Sequence, residues 1–181
     1  MRIGIPAEIR PGETRVAATP ETVKKMAQGG LHAVVVQSGA GAAANFPDAD
    51  YTAAGATLAA SAADVFAHSD IILKVRGPEM GELPMLRPGV ILACLLATLE
   101  PERLEALART GATAFRLESI PRITRAQTMD VLSSQGNIAG YKAVIVAANE
   151  YDRYMPMLMT AAGTVKAARA RSSIRAACRC L

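Results

Sequence analysis

Five short apolar runs recur along the chain with helix-like segments between them: Ile3 to Pro6, Ala33 to Gln37, Ile71 to Val75, Val90 to Leu96 and Thr113 to Leu117. Runs this short suit strands, and Ala33 to Gln37, rich in Val, suits a buried one. Strands separated by helices pair in parallel, through crossovers that are right-handed almost without exception. The expected fold is α/β: a flavodoxin-like, doubly wound parallel sheet in three layers.

The punctuation between the runs agrees. Thr19 can cap a helix that Pro20 opens and Gly29-Gly30 ends. Ser61 can cap another, with Asp64 near its positive end. Gly77-Pro78 breaks the Ile71 strand, and Pro88-Gly89 turns the chain into the next. Pro101 opens a helix over Glu102 to Arg109, which Gly111 closes. From about Ala126 to Tyr151 the spacing predicts one long C-terminal helix. Its apolar residues Met129, Leu132, Ile138, Tyr141, Val144 and Ile145 recur at threes and fours. Tyr141 is expected to pack and Lys142 to meet solvent.

Composition narrows the function classes. A length of 181 residues suits one domain with a real core, expected over residues 1–165. Aromatic residues make up only 4% and Trp is absent, so that core must be aliphatic. The longest apolar run, Val90 to Leu99, falls short of the ~18–20 residues a membrane span needs. A charged N-terminus with an early Pro is not a secretory signal, so a cytoplasmic protein is expected. The net charge is +4, but Lys166, Arg169, Arg171, Arg175 and Arg179 all fall in the last sixteen residues. Without them fifteen basic residues face sixteen acidic ones, which gives no case for nucleic acid. Cys94, Cys178 and Cys180 have no Cys/His spacing for zinc, which points to a reducing compartment and no metal.

Two stretches invite a site. Gly39-Ala40-Gly41-Ala42-Ala43-Ala44 satisfies G-x-G-x-x-A after a strand. Asn45-Phe46-Pro47 would stop any helix there, however, and no acid follows ~20 residues on to hold a ribose. It reads as a tight structural turn. The second stretch runs from Pro121 to Tyr141. On a helix, residues three apart share a face, so Gln127, Asp130 and Ser133 would point together, with Arg122 reaching in from the preceding loop. Asp can accept from a carboxamide nitrogen while Ser, Gln and Arg donate to its oxygen, which suits a nicotinamide ring. The same residues suit an ordinary capped, solvated helix start, and the pattern alone leaves both open.

The Pro121–Tyr141 stretch resembles a loop of the proton-translocating transhydrogenases, in the component that handles NAD(H). Met1-Arg2-Ile3-Gly4-Ile5-Pro6 and Glu13-Thr14-Arg15-Val16-Ala17-Ala18-Thr19-Pro20 resemble the opening of that family and of the related alanine dehydrogenases. Ser38-Gly39-Ala40-Gly41 and Ile71 to Val75 fit it too, and the resemblance covers roughly residues 1 to 168. It implies hydride transfer between NADH and NADP⁺ coupled to proton movement, with Arg122, Gln127, Thr128, Met129, Asp130 and Ser133 contacting NAD(H). In that family a Rossmann domain begins about where this chain ends. The NAD(H) site would then be incomplete and the chain alone inactive. NADP(H) and the proton path would belong to membrane and nucleotide-binding partner subunits. A homodimer when complete, peripheral at the inner face of the cytoplasmic membrane, is also implied.

In alanine dehydrogenases the residues matching Arg15 and Lys74 hold pyruvate, and a His on the following strand moves a proton. Here that position falls in Cys94-Leu95-Leu96-Ala97-Thr98, and the histidines, His32 and His68, lie elsewhere. Amino-acid oxidation needs a group that titrates near neutrality, so dehydrogenase activity is disfavoured. Arg15 and Lys74 are equally a relic substrate site or structural partners of acids. A noncatalytic remnant or assembly module is the alternative from a different class. Beyond Val165, residues 166–181 crowd Arg, Ala, Ser and Cys together without the pattern of a fold. A frameshift or sequencing error near codon 168 and a disordered basic tail are the expectations there.

Overall fold

A computed structural model describes residues 1–96 and 100–169. The chain divides into two compact units, Met1–Pro121 and Arg122–Leu181.

The first unit is built on a six-stranded parallel sheet. In chain order its elements are β1 (Arg2–Ile5), α1 (Pro20–Ala27), β2 (Ala33–Gln37), α2 (Asp48–Ala53), β3 (Thr57–Ala59), α3 (Ala62–His68), β4 (Ile71–Arg76), β5 (Ile91–Leu95), α4 (Pro101–Arg109) and β6 (Thr113–Arg116). The spatial order is β3-β2-β1-β4-β5-β6. Winding therefore runs outward from β1 to β3, then returns to β4 and runs the other way. Leaving out the edge strand β3, the remaining strands stand in the flavodoxin order, 2-1-3-4-5. The doubly wound sheet expected from the apolar runs is the one found, with one short strand added at its edge.

Both faces of the sheet are covered at its centre, where β2 shows how, while the edge strand β6 is exposed along its length. Side chains alternate across a strand. Val34 and Val36 enter a core with Ile5, Val23 of α1 and Tyr51 of α2, while Val35 packs against the opposite core with Val65 and Phe66 of α3. The second core continues through Ile72, Leu92, Cys94 and Leu107. Tyr51 is fully buried and its hydroxyl donates to the Ala18 carbonyl at 2.9 Å. The capping expectations hold: Thr19 Oγ1 accepts from the Thr22 N–H at 3.3 Å, and Ser61 Oγ from the Asp64 N–H at 3.2 Å. Gly4 lets β1 approach α3, because a Cβ there would lie 2.8 Å from a Val65 methyl.

Helix α2 and strand β3 were not expected. α2 carries Asp48 and Asp50 in its first turn, where carboxylates favour the positive end. Asp48 also accepts from Ser38 Oγ at 2.6 Å and from the Gly39 N–H at 2.8 Å, so it closes the turn after β2.

The second unit holds α5 (Val131–Glu150) and a hairpin of β7 (Leu158–Thr160) and β8 (Gly163–Val165). The long helix expected from Ala126 begins later. Thr124–Met129 forms a 3-10 segment, and Asp130 is the N-cap of α5. No residue of α5 is buried, and Tyr141, expected to pack, is 71% exposed. Of the 166–181 tail, residues 166–169 are described, and the Ala168 N–H donates to the Met155 carbonyl at 2.9 Å. The expectation of disorder for residues 170–181 lies outside the described residues.

Candidate functional site

Parallel sheets place ligands beyond the carboxyl ends of strands where the winding reverses. In the first unit that point lies between β1 and β4, and charged side chains converge on it. The β4–β5 register slips between Leu73 and Arg76, so β4 carries a bulge at Lys74-Val75. A bulge re-aims side chains and frees backbone donors. Glu8, just past β1, takes both freed groups: the Val75 N–H at 2.6 Å and the Arg76 N–H at 3.4 Å. Lys74 Nζ donates to Glu82 Oε1 at 2.7 Å and lies 3.7 Å from Glu8 Oε2. Glu82 Oε2 accepts the Glu79 N–H at 2.8 Å.

Arg15 belongs to a neighbouring group. Its guanidinium donates to Glu13 at 2.7 and 2.6 Å, and Arg76 Nε donates to the same carboxylate at 3.0 Å. The Arg15 hydrogen bonds pull the Glu13 carboxyl down to about 2. Arg15 and Lys74 are each paired with acids of their own unit. On β5, burial pushes the Cys94 thiol up to about 12, which makes it an inert core group rather than a nucleophile. Leu95 and Leu96 beside it are buried, while Ala97 and Thr98 lie outside the described residues. Glu8 and Glu82 were missed by sequence reasoning. Lys74 inside an apolar strand was the available signal, since a buried ammonium must be paired.

The Gly39–Ala44 stretch is the turn it was read as. Gly39 has φ +78°, Ala42–Ala44 make one 3-10 turn, and Asn45 is left-handed. A Cβ on Gly41 would lie 2.6 Å from the Tyr51 ring, so the space a phosphate would need is filled by the core.

In the second unit the candidate nicotinamide residues run from Arg122 to Ser133. Asp130 Oδ1 accepts from the Ser133 N–H at 3.0 Å, and Oδ2 from Ser133 Oγ at 2.6 Å. These bonds, led by the Ser133 hydroxyl, hold the Asp130 carboxyl below its usual range, and the Arg122 charge adds to the effect. The structure thus brings Asp130 and Ser133 together, while Arg122 bears on Asp130 through its charge and makes no ion pair with it. Gln127 is not on the same α-helical face, because it sits in the 3-10 segment with its carbonyl accepting the Asp130 N–H at 3.3 Å. Arg122, Gln127, Thr128 and Met129 are exposed. Each carboxylate oxygen has a lone pair to spare beyond its Ser133 bond. The group therefore suits the carboxamide end of a nicotinamide while also capping α5.

A family model described as "Alanine dehydrogenase/PNT, N-terminal domain" matches residues 4–139. The chain belongs to the alanine dehydrogenase/PNT family. Among its relatives, an NAD(P) transhydrogenase alpha-subunit polypeptide of Rhodospirillum rubrum is 49% identical over 175 residues, covering 93% of this chain and 45% of the relative. The alanine dehydrogenase of Mycobacterium tuberculosis is 37% identical over 149 residues, covering 82% and 39%. The crystal structure of transhydrogenase from Sinorhizobium meliloti matches with a TM-score of 0.85 at 48% identity, covering 93% of this chain and 50% of that one. The chain thus spans about half the length of these two transhydrogenase chains. The family match takes in both the bulge at Lys74 and the Arg122–Ser133 stretch. No described helix is long and apolar enough to cross a membrane.

Proposed function

We propose that this chain is the N-terminal portion of the NAD(H)-handling component of a proton-translocating transhydrogenase. The observation that carries the reading is the Asp130–Ser133 pair at the start of α5, with the Arg122 charge acting on Asp130, in a chain 49% identical to a transhydrogenase alpha-subunit polypeptide. Arg122, Gln127, Thr128, Met129, Asp130 and Ser133 would hold the nicotinamide end of NAD(H). The nicotinamide itself carries the hydride. The residues of this chain bind and orient its carboxamide, and orientation of reacting groups alone removes several kcal/mol of a barrier. The phosphate end would be held by a dinucleotide-binding domain outside these 181 residues, because the Gly39–Ala44 turn is closed by Tyr51. NADP(H) and the proton path would reside on membrane and nucleotide-binding partner subunits, with this component a homodimer at the inner face of the cytoplasmic membrane.

The test uses this segment joined to the rest of such an enzyme. Arg122→Ala and Asp130→Asn should each slow steady-state transhydrogenation about tenfold or more while NADH binding changes less, as expected when orientation matters more than ground-state affinity. Unchanged turnover in both variants would return the group to helix capping and favour a noncatalytic assembly role. Pyruvate with ammonium should not oxidise NADH in the same protein, because buried Leu95 and Leu96 stand where a proton donor would be needed.

A further inference from the structure

We propose that a cavity at the amino end of the sheet binds a hydrogen-phosphate group, free or at the tip of a phosphomonoester. Strands β1 and β4 enter the sheet side by side, at the opposite end from the bulge at Lys74. A cavity of about 560 Å³ opens there, and Arg2, His68, Asp70 and Arg87 supply its polar wall. A second cavity, of about 540 Å³, shares Arg2, Ala33 and His68 with the first and continues past Val35 and Leu58. It offers an apolar wall to the organic part of an ester.

The donors and acceptors of that wall name the ligand. Among the described residues the Arg2 guanidinium has no partner. Arg87 spends one donor, Nη2, on the carbonyl of buried Ser69 at 2.7 Å, which fixes its position and leaves the rest of its fork open. Paired guanidinium forks suit a phosphate or carboxylate. The carbonyls at the end of α3 would repel such an anion, but they are taken: Asp64 by His68 Nδ1 at 2.9 Å and Val65 by Ser69 Oγ at 2.6 Å. Asp70 adds the discriminating group. Its Oδ2 accepts the Arg2 N–H at 2.8 Å, and its Oδ1 bonds no described residue. A carboxylate oxygen only accepts, so the ligand must be an anion that also carries a hydrogen to donate. His68 points the same way: a carbonyl only accepts, so Nδ1 donates to Asp64 and Nε2 of the neutral ring is left as an acceptor. Hydrogen phosphate and its monoesters have that hydrogen. Sulfate lacks it, and so does the diester pyrophosphate of NAD(H).

Titrations of the nitrogen-15-labelled 181-residue chain with sodium phosphate, sodium sulfate and phenyl phosphate, at matched ionic strength and neutral pH, test the proposal. Phosphate should bind at about 1 mM, with shifts at Arg2, Asp70 and Arg87, and sulfate about tenfold more weakly. Arg2→Gln should weaken phosphate about tenfold without disturbing the fold, since that guanidinium bonds no described residue. Asp70→Asn should bring sulfate level with phosphate, while Lys24→Gln should change neither. Tighter binding of phenyl phosphate with added shifts at Val35 and Leu58 would identify a monoester as the ligand, and equal binding without them would identify free phosphate. No phosphate shifts at several times ~1 mM, sulfate binding as tight as phosphate, or glycine binding in their place would overturn the proposal.

Discussion

The two units of this chain handle apolar surface in opposite ways. Residues 1–121 fold it inward, into two aliphatic cores on either side of a parallel sheet. In the second unit, Ala126 is the buried residue among those described. Ile138 and Val144 of α5 stay 61% and 63% exposed, and apolar side chains surround the helix rather than forming a stripe. A helix apolar all round belongs to a buried setting, and an isolated helix of about this length is marginal in water. The first unit thus carries the stability, and the second carries the candidate nicotinamide group on a loop and a helix start. Function on a less stable segment is a common division.

The sharpest way to break this comparison is to cut the same kind of side chain from each unit. Leu92→Ala, in the fully buried centre of β5, should cost about 2–5 kcal/mol in urea unfolding. Val144→Ala on α5 should cost no more than about 0.5 kcal/mol. Equal costs would mean that α5 is covered and that the contrast is false. A smaller loss follows from Tyr51→Phe, which leaves the buried Ala18 carbonyl without its partner and should cost about 1–3 kcal/mol.

Helix caps sharpen the contrast further. Thr19→Ala should lower global stability by about 1 kcal/mol, because α1 seals a core through Val23. Asp130→Ala removes the cap of α5. It should lower helical circular dichroism while leaving the urea midpoint of the first unit in place.

How much of this was legible in the sequence follows burial. Strands β1, β2, β4 and β5 announced themselves because each fills a core with Val, Ile or Leu, whereas β6 is exposed along its length and was marked by Gly111 ahead of it. Strand β3 did not, since Thr57 and Leu58 lie exposed at the sheet edge and three residues give no period. Helix α2 was hidden by the doubtful glycine turn before it, although Asp48 and Asp50 after Pro47 mark a helix start. The start of α5 was placed too early because 3-10 and α segments share spacings of three and four. Asp130, with Ser133 three residues on, was the better boundary signal. The Lys74 cluster was legible only in part: Glu8 and Glu82 are single acids, and only the fold brings them to the bulge.

A pH dependence of the first unit with two opposite signs is also expected. Glu13 is held at about 2 by Arg15, below its ordinary 4.5. Its contribution is present above 4.5 and is lost as pH falls toward 2. Burial raises the Glu8 carboxyl, so its contribution runs the other way, growing as pH falls toward 4.5. Unfolding curves should therefore show a maximum near pH 4.5, and Arg15→Met should weaken its acid limb, with Arg76 still bonded to Glu13.

The most direct test of the division between scaffold and site is an NADH titration of the nitrogen-15-labelled chain, followed amide by amide. Binding should be weak, at about 1 mM or above, since no phosphate cradle is present in the turn at Gly39–Ala44. The shifts should gather between Arg122 and Ser133 and leave the Gly39–Ala44 turn still. Shifts centred on that turn, or none between Arg122 and Ser133 at several times ~1 mM NADH, would contradict the account.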